Sequence, residues 1–173
     1  MPKLILQIIL ALIGIYVLIC VLLYLNQEKF IFDPSKIAKD YQFNYERSFK
    51  ELYFTTSDSL KIHALYFETE NPKGVVYYLH GNSGNLSEWG DIAGVYLDLG
   101  YNILLIDYRG FGRSEGKIEN QKHFYEDAQL GYNFLKENFA ENQIIMIGYS
   151  VGTGTASHLA SANNPKLLIL QSP

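Results

Sequence analysis

The chain has 173 residues, of which 48% are hydrophobic and 18% charged, and its net charge is −4. One domain's worth of chain with that mix is neither a disordered tail nor a collagen-like fibre nor a low-complexity linker. The acidic balance leaves no basic footprint for nucleic acid, and the single cysteine, Cys20, can neither close an internal disulfide nor supply a zinc cage.

The average hides one sharp split. From Leu4 to Leu25 the sequence reads LILQIILALIGIYVLICVLLYL, with Gln7 its only strongly polar residue. As a helix this run is about 33 Å long, enough to cross a hydrocarbon core of roughly 30 Å. A cleaved signal peptide has an apolar region of about 7–15 residues before a small-x-small site. Here the run is longer and no such site closes it, and Ile19 before Cys20 argues against a lipoprotein signal. An uncleaved, single-pass membrane helix over 4–25 is therefore expected, with the bilayer as its partner. Lys29, Lys36 and Lys39 on the trailing side outnumber Lys3 on the leading side, which leans towards a cytoplasmic C-terminal part. Residues 26–50 read as a juxtamembrane connector, and 51–173 as the folded domain.

Within that domain, Glu51–Thr56 and Leu60–Phe67 are β-rich runs separated by Ser57-Asp58-Ser59, a hairpin pattern. Gly74–Leu79 (GVVYYL) is a short, continuously apolar strand of the kind buried on both faces of a parallel sheet. Leu86, Trp89, Ala93 and Tyr96 recur at helical spacing up to Gly100. A strand over 102–106, a helix from Phe124 to about Asn138, a strand over 143–147, a helix over 151–163 and a strand over 166–170 follow. A hairpin followed by alternating β and α units predicts an α/β fold with a mostly parallel, doubly wound sheet.

Gly148-Tyr149-Ser150-Val151-Gly152 fits the pattern G-x-S-x-G. Three fixed residues at about 7% each would match by chance in roughly one chain in twenty of this length, so the pattern alone is modest evidence. Its context is stronger: it follows strand QIIMI directly and opens the helix VGTGTASHLA. Such a turn lifts a serine Oγ above the sheet, and glycines two residues either side leave it room. The helix N-terminus then offers N–H groups and a positive dipole end to a developing oxyanion. His80-Gly81-Asn82-Ser83-Gly84-Asn85 lies at the C-terminal end of strand GVVYYL, the ligand edge of such sheets. Backbone N–H groups of Asn82 and Val151 are the expected oxyanion donors. The bland readings are a glycine-rich turn capped by Ser150 and an ordinary Gly/Asn turn.

FIFDPS (Phe30–Ser35), YYLHGNSGN (Tyr77–Asn85), LLIDYRGFGRSEG (Leu104–Gly116) and IGYSVGTGTA (Ile147–Ala156) fall in order along the chain. Through them it resembles the α/β-hydrolases, in particular a membrane-anchored subgroup related to serine aminopeptidase-like hydrolases and depalmitoylases. The resemblance implies Ser150 as nucleophile, the amides of Asn82 and Val151 as oxyanion hole, and a small-molecule or acylated substrate. It implies no metal and no organic cofactor. Asp107 and Arg109, in the loop after strand NILLI, read as residues that pin the loop.

In this fold the triad follows the chain order Ser, then Asp or Glu, then His. After Ser150 come no Asp, no Glu and one histidine, His158, eight positions along the same helix and about 12 Å away by rise. A base must approach within about 2.6–3.2 Å, so His158 cannot serve. His63 falls in the hairpin with a solvated or cross-strand role, His123 on a polar helix face, and His80 in a turn-supporting place. The resemblance implies further strands carrying the acid and base after Lys166–Leu170. The expectation is thus the N-terminal part of a longer esterase-type serine hydrolase. The alternatives are a non-catalytic, membrane-tethered remnant, or a module completed by a partner strand.

Overall fold

The computed structural model describes Pro2–Pro173 as two compact units, one ending at Phe32 and the other spanning Asp33–Pro173. The first is helix α1 (Pro2–Leu25) followed by the short α2 (Gln27–Ile31). Helix α1 has 24 residues, buries none of them and has a mean hydropathy of 3.1 over its most apolar window. A soluble helix hides at least one stripe of its surface, whereas this one is apolar on nearly every side and exposed throughout, so by length and composition it is a candidate membrane span.

The second unit contains, in chain order, β1 (Asp33–Pro34), β2 (Phe49–Thr55), β3 (Lys61–Phe67), β4 (Val75–Leu79) and β5 (Ser83–Gly84). Then come α3 (Leu86–Trp89), α4 (Ala93–Asp98), β6 (Asn102–Ile106), α5 (Gln121–Asn138), β7 (Ile144–Tyr149), α6 (Gly152–Ala162) and β8 (Leu167–Gln171). Six strands form one sheet in the order β2-β3-β6-β4-β7-β8. The β2–β3 and β3–β6 pairs are antiparallel, and β6, β4, β7 and β8 run parallel. The expected α/β sheet with a leading hairpin is what forms.

Every residue of β4 and of β6 is buried, because helices cover both faces of the sheet centre. On one face Val76, Tyr78, Ile103, Leu105 and Ile147 pack with Leu86, Ala93 and Leu97. On the other, the Tyr77 hydroxyl donates to the Ala128 carbonyl of α5 at 2.7 Å, satisfying a group that burial would otherwise penalise. Strand β8 lies at the sheet edge, with Leu167 and Leu170 exposed.

Two features differ from the sequence reading. The single helix expected from Leu86 to Gly100 is broken by a 3-10 turn at Gly90–Ile92. Tyr45 packs against this turn: its hydroxyl donates to the Leu86 carbonyl, which also accepts from Gly90 N–H, and its ring lies where a side chain on Gly90 would go. Residues 33–50, expected as part of a juxtamembrane connector, belong to the second unit: Asp33–Ser35 pair with the loop after β4, and Phe43, Tyr45 and Phe49 pack on the core. Of the two roles expected for His63 the structure has the cross-strand one: it is fully buried, opposite Tyr53 in the hairpin register.

Candidate active site

Ser150 sits in the turn between β7 and α6 with φ of +50°, a left-handed conformation that costs a non-glycine residue of order 1–2 kcal/mol. The surroundings hold it there. Its N–H donates to the Gln171 carbonyl of β8 at 2.9 Å, and its carbonyl accepts from Thr153 N–H at 2.9 Å and Thr153 Oγ1 at 2.6 Å.

The two flanking glycines are required for space. A Cβ on Gly148 would lie 2.6 Å from the Gly152 carbonyl oxygen and 2.6 Å from Thr153 Cα. A Cβ on Gly152 would collide with the Leu79 carbonyl oxygen and lie 2.6 Å from that of His80. The first turn of α6 therefore rests on the backbone at the end of β4, so the serine turn and the loop His80–Asn85 are neighbours. Register agrees, with Leu79 opposite Gly148. Val151 has a helical conformation just before α6, where the helix offers its N–H no acceptor.

The loop carrying Asn82 is braced from several sides. His80 is fully buried, with Nδ1 2.8 Å from the Gly81 carbonyl oxygen; a carbonyl only accepts, so Nδ1 carries the proton. Burial pushes the His80 pKa down, more than the nearby Asp107 pushes it up, so the ring stays neutral. Its carbonyl accepts from the Tyr108 hydroxyl at 3.0 Å. Trp89 stacks on the His80 ring, tilts against Tyr149, and donates from Nε1 to the Ser83 carbonyl at 3.0 Å. Asn85 caps α3, its side-chain oxygen accepting from Ser87 N–H at 2.8 Å.

Asp107 and Arg109 have the pinning geometry that the sequence suggested. Asp107 is fully buried; one carboxylate oxygen accepts from Leu86 N–H at 3.0 Å, and the other lies 3.3 Å from His63 Nδ1. The other ring nitrogen of His63 is 3.1 Å from Glu51, which in turn pairs with Arg113 at 2.6 Å. Arg109 grips Asp127 of α5 with two bonds of 2.6 and 2.7 Å and reaches Asp58 at 3.1 Å. This fork ties the loop after β6 to α5 and to the β2–β3 hairpin.

Among the described residues, the Ser150 hydroxyl has no imidazole in hydrogen-bond contact. His158 instead stacks flat on Tyr125 at 3.8 Å, His63 is held by Asp107 and Glu51, and His80 by the Gly81 carbonyl. Nor is there among the described residues a group of three or more His, Cys, Asp or Glu side chains suited to a metal ion. What sequence reasoning missed are the braces: the Asp33–Ser35 pairing, the Asn85 cap and the Trp89 stack. No periodicity announces them; only the run FIFDPS marked that stretch.

A mostly parallel sheet with a serine at a strained strand-to-helix turn, beside a loop at the end of the neighbouring strand, is the architecture of an α/β-hydrolase. The family model described as serine aminopeptidase, S33 (Hydrolase_4) matches residues 70–173, and the chain belongs to that family. Lysophosphatidylserine lipase ABHD12 of Danio rerio is 34% identical over 116 residues, which cover 62% of this chain and 29% of that protein. The uncharacterized protein R595 of Acanthamoeba polyphaga mimivirus is 30% identical over 134 residues, covering 70% of this chain and 45% of that one. The chain thus spans less than half the length of these relatives. Among solved structures, the Pyrococcus furiosus esterase Pf2001 superposes with a TM-score of 0.66 at 23% identity, over 83% of this chain and 56% of that one. An alpha-beta hydrolase from Vibrio vulnificus gives 0.60 at 26% identity, over 69% and 44%.

Proposed function

We propose that this chain carries the nucleophile and oxyanion hole of a membrane-anchored serine hydrolase acting on carboxyl esters, thioesters or related acyl bonds. The observation that carries this reading is Ser150 at φ of +50°, on a turn whose Gly152 rests against the Leu79 and His80 carbonyls. In the proposed reaction the Ser150 Oγ attacks the acyl carbonyl carbon. The carbonyl oxygen takes the negative charge and accepts hydrogen bonds from the N–H groups of Asn82 and Val151. Collapse of that tetrahedral adduct expels the alcohol or thiol and leaves an acyl-serine, which water then hydrolyses. The substrate class favoured is a membrane-lipid acyl ester, on the strength of the lipase relatives and the apolar helix α1. The cytoplasmic side is favoured for the hydrolase unit by Lys29, Lys36 and Lys39 against Lys3.

The base that takes the Ser150 proton and the acid that orients it are proposed to come from outside residues 1–173. Supporting this, three of the four histidines are engaged elsewhere, His158 on Tyr125, His63 on Asp107 and His80 on the Gly81 carbonyl, while the fourth, His123, opens α5. That same observation favours the second reading, a membrane-tethered protein that keeps the turn without the chemistry. Reading the nucleotides after codon 173 separates the two. If a downstream Asp or Glu followed by His is encoded, the extended protein should hydrolyse a p-nitrophenyl ester in a manner abolished by Ser150→Ala. Ester hydrolysis indifferent to Ser150→Ala would overturn the proposal.

A further inference from the structure

The hydrolase unit begins with a three-residue strap, Asp33–Ser35, lying along the loop that bears Asn82. Asp33 pairs with Ser83 and Pro34 with Gly84 in a short parallel ladder. Asp33 N–H donates to the Asn82 carbonyl at 2.9 Å, which fixes the peptide on the C-terminal side of Asn82. At the other end of the strap, the Asn85 side-chain amide donates to Ser35 Oγ at 2.7 Å and more weakly to the Ser35 carbonyl at 3.4 Å. The strap is itself held from behind. Gly112 N–H donates to the Ser35 carbonyl at 2.8 Å, and Ile37 N–H to the Gly112 carbonyl at 3.2 Å. Lys36 adds a bond from its ammonium to the Ser114 carbonyl at 2.7 Å.

These contacts have a common target. A loop between a strand and a helix has few backbone partners of its own and would sample many shapes. An oxyanion hole works only when its donors are fixed before the charge develops. Here the strap satisfies the loop's carbonyls at Asn82 and Gly84, and Ser35 orients Asn85, whose other side-chain atom caps α3. From this geometry we propose that the strap is a positioning element for the oxyanion loop, with Ser35 and Asn85 as its positioning pair. The proposal rests on the reading of Asn82 as an oxyanion donor. It makes the segment that starts eight residues after α1 ends part of the site's machinery rather than a spacer.

Trp89 allows a direct test, because it is the only tryptophan in the chain and its indole is bonded to Ser83 of the same loop. The full chain is reconstituted in phosphatidylcholine nanodiscs as wild type, Ser35→Ala, Ser35→Thr and Asn85→Ser. Ser35→Ala removes the side-chain acceptor; Asn85→Ser removes the amide donor and its reach to Ser35 while retaining an N-cap hydroxyl for α3. Both should raise amide exchange at residues 82–86 about tenfold, the size of one lost hydrogen bond, with β4 and β6 unchanged. Both should also increase acrylamide quenching of Trp89, and Ser35→Thr should restore wild-type values. Unchanged exchange and quenching in both variants would overturn the proposal, as would loosening spread equally through β4 and β6, or a Ser35→Thr protein as loose as Ser35→Ala. None of these readouts needs catalysis, so a failed hydrolase reading would show itself separately, in the Ser150 experiments.

Discussion

Two glycines of α6 separated by one residue should respond oppositely to alanine. At Gly154 nothing lies within 4 Å of the new Cβ, so Gly154→Ala adds only helix preference and reduced unfolded-state freedom, about 0.5–1 kcal/mol of stabilisation. At Gly152 the same methyl would meet three backbone atoms, the Leu79 carbonyl oxygen and carbon and the His80 carbonyl oxygen. Backbone at the end of a fully buried strand cannot swing aside as a flexible side chain would. Relief requires α6 to shift away from β4, at a cost of about 1–3 kcal/mol beyond the same helix gain. Net destabilisation of about 2 kcal/mol is expected for Gly152→Ala, leaving the two variants about 3 kcal/mol apart. Thermal unfolding in nanodiscs followed by circular dichroism should separate their midpoints by about 10 °C, at roughly 3 °C per kcal/mol for a unit of this size. A Gly152→Ala protein as stable as wild type would refute the claim that the first turn of α6 is seated on the Leu79–His80 backbone.

Asp127→Ala should strip Arg109 of its two-bond partner and leave a buried guanidinium with only Asp58, lowering unfolding free energy by about 3 kcal/mol in urea titrations. Stability should fall in mild acid because His80 is held neutral. Its folded pKa lies below the unfolded 6.5, so its contribution is complete above pH 6.5 and is lost as pH falls from there towards the folded value. The slope should approach about 1.4 kcal/mol per pH unit at most, and urea midpoints at pH 7.0 and 5.5 should differ less in His80→Gln than in wild type. Finally, α1 should keep the protein in membranes through an alkaline carbonate wash; release to the supernatant, or an N-terminus near residue 26, would contradict an uncleaved anchor.

Much of the architecture was legible in the sequence because its signals are local. The run GVVYYL and the run NILLI announce central strands through uninterrupted apolar character, and the structure buries all of β4 and β6. The turn at Ser150 was legible because glycine spacing, a preceding strand and a following helix coincide. What the sequence concealed depends on residues far apart in the chain. Tyr45 packs against the 3-10 turn from more than forty positions away, its hydroxyl bonded to the Leu86 carbonyl, and no periodicity within 86–100 reveals it. His63 alternates as an ordinary hairpin residue, and only folding brings Asp107 and Glu51 to its two nitrogens. The strap at Asp33–Ser35 is too short for a strand pattern, and its partners sit in a loop.

The central claim, that Ser150 is an activated nucleophile completed by groups outside residues 1–173, is tested most directly with a fluorophosphonate probe and mass-spectrometric mapping of the adduct. An unactivated serine hydroxyl reacts slowly; in a comparable triad, loss of the histidine costs about 2 × 10⁶ in turnover. The 173-residue chain should label at Ser150 no faster than a Ser150→Ala control labels elsewhere. If the reading frame continues into an Asp or Glu followed by a His, the extended chain should label rapidly at Ser150 and lose that adduct on Ser150→Ala. Rapid labelling of Ser150 in the 173-residue chain, or a restored triad that leaves Ser150 unlabelled, would contradict the claim.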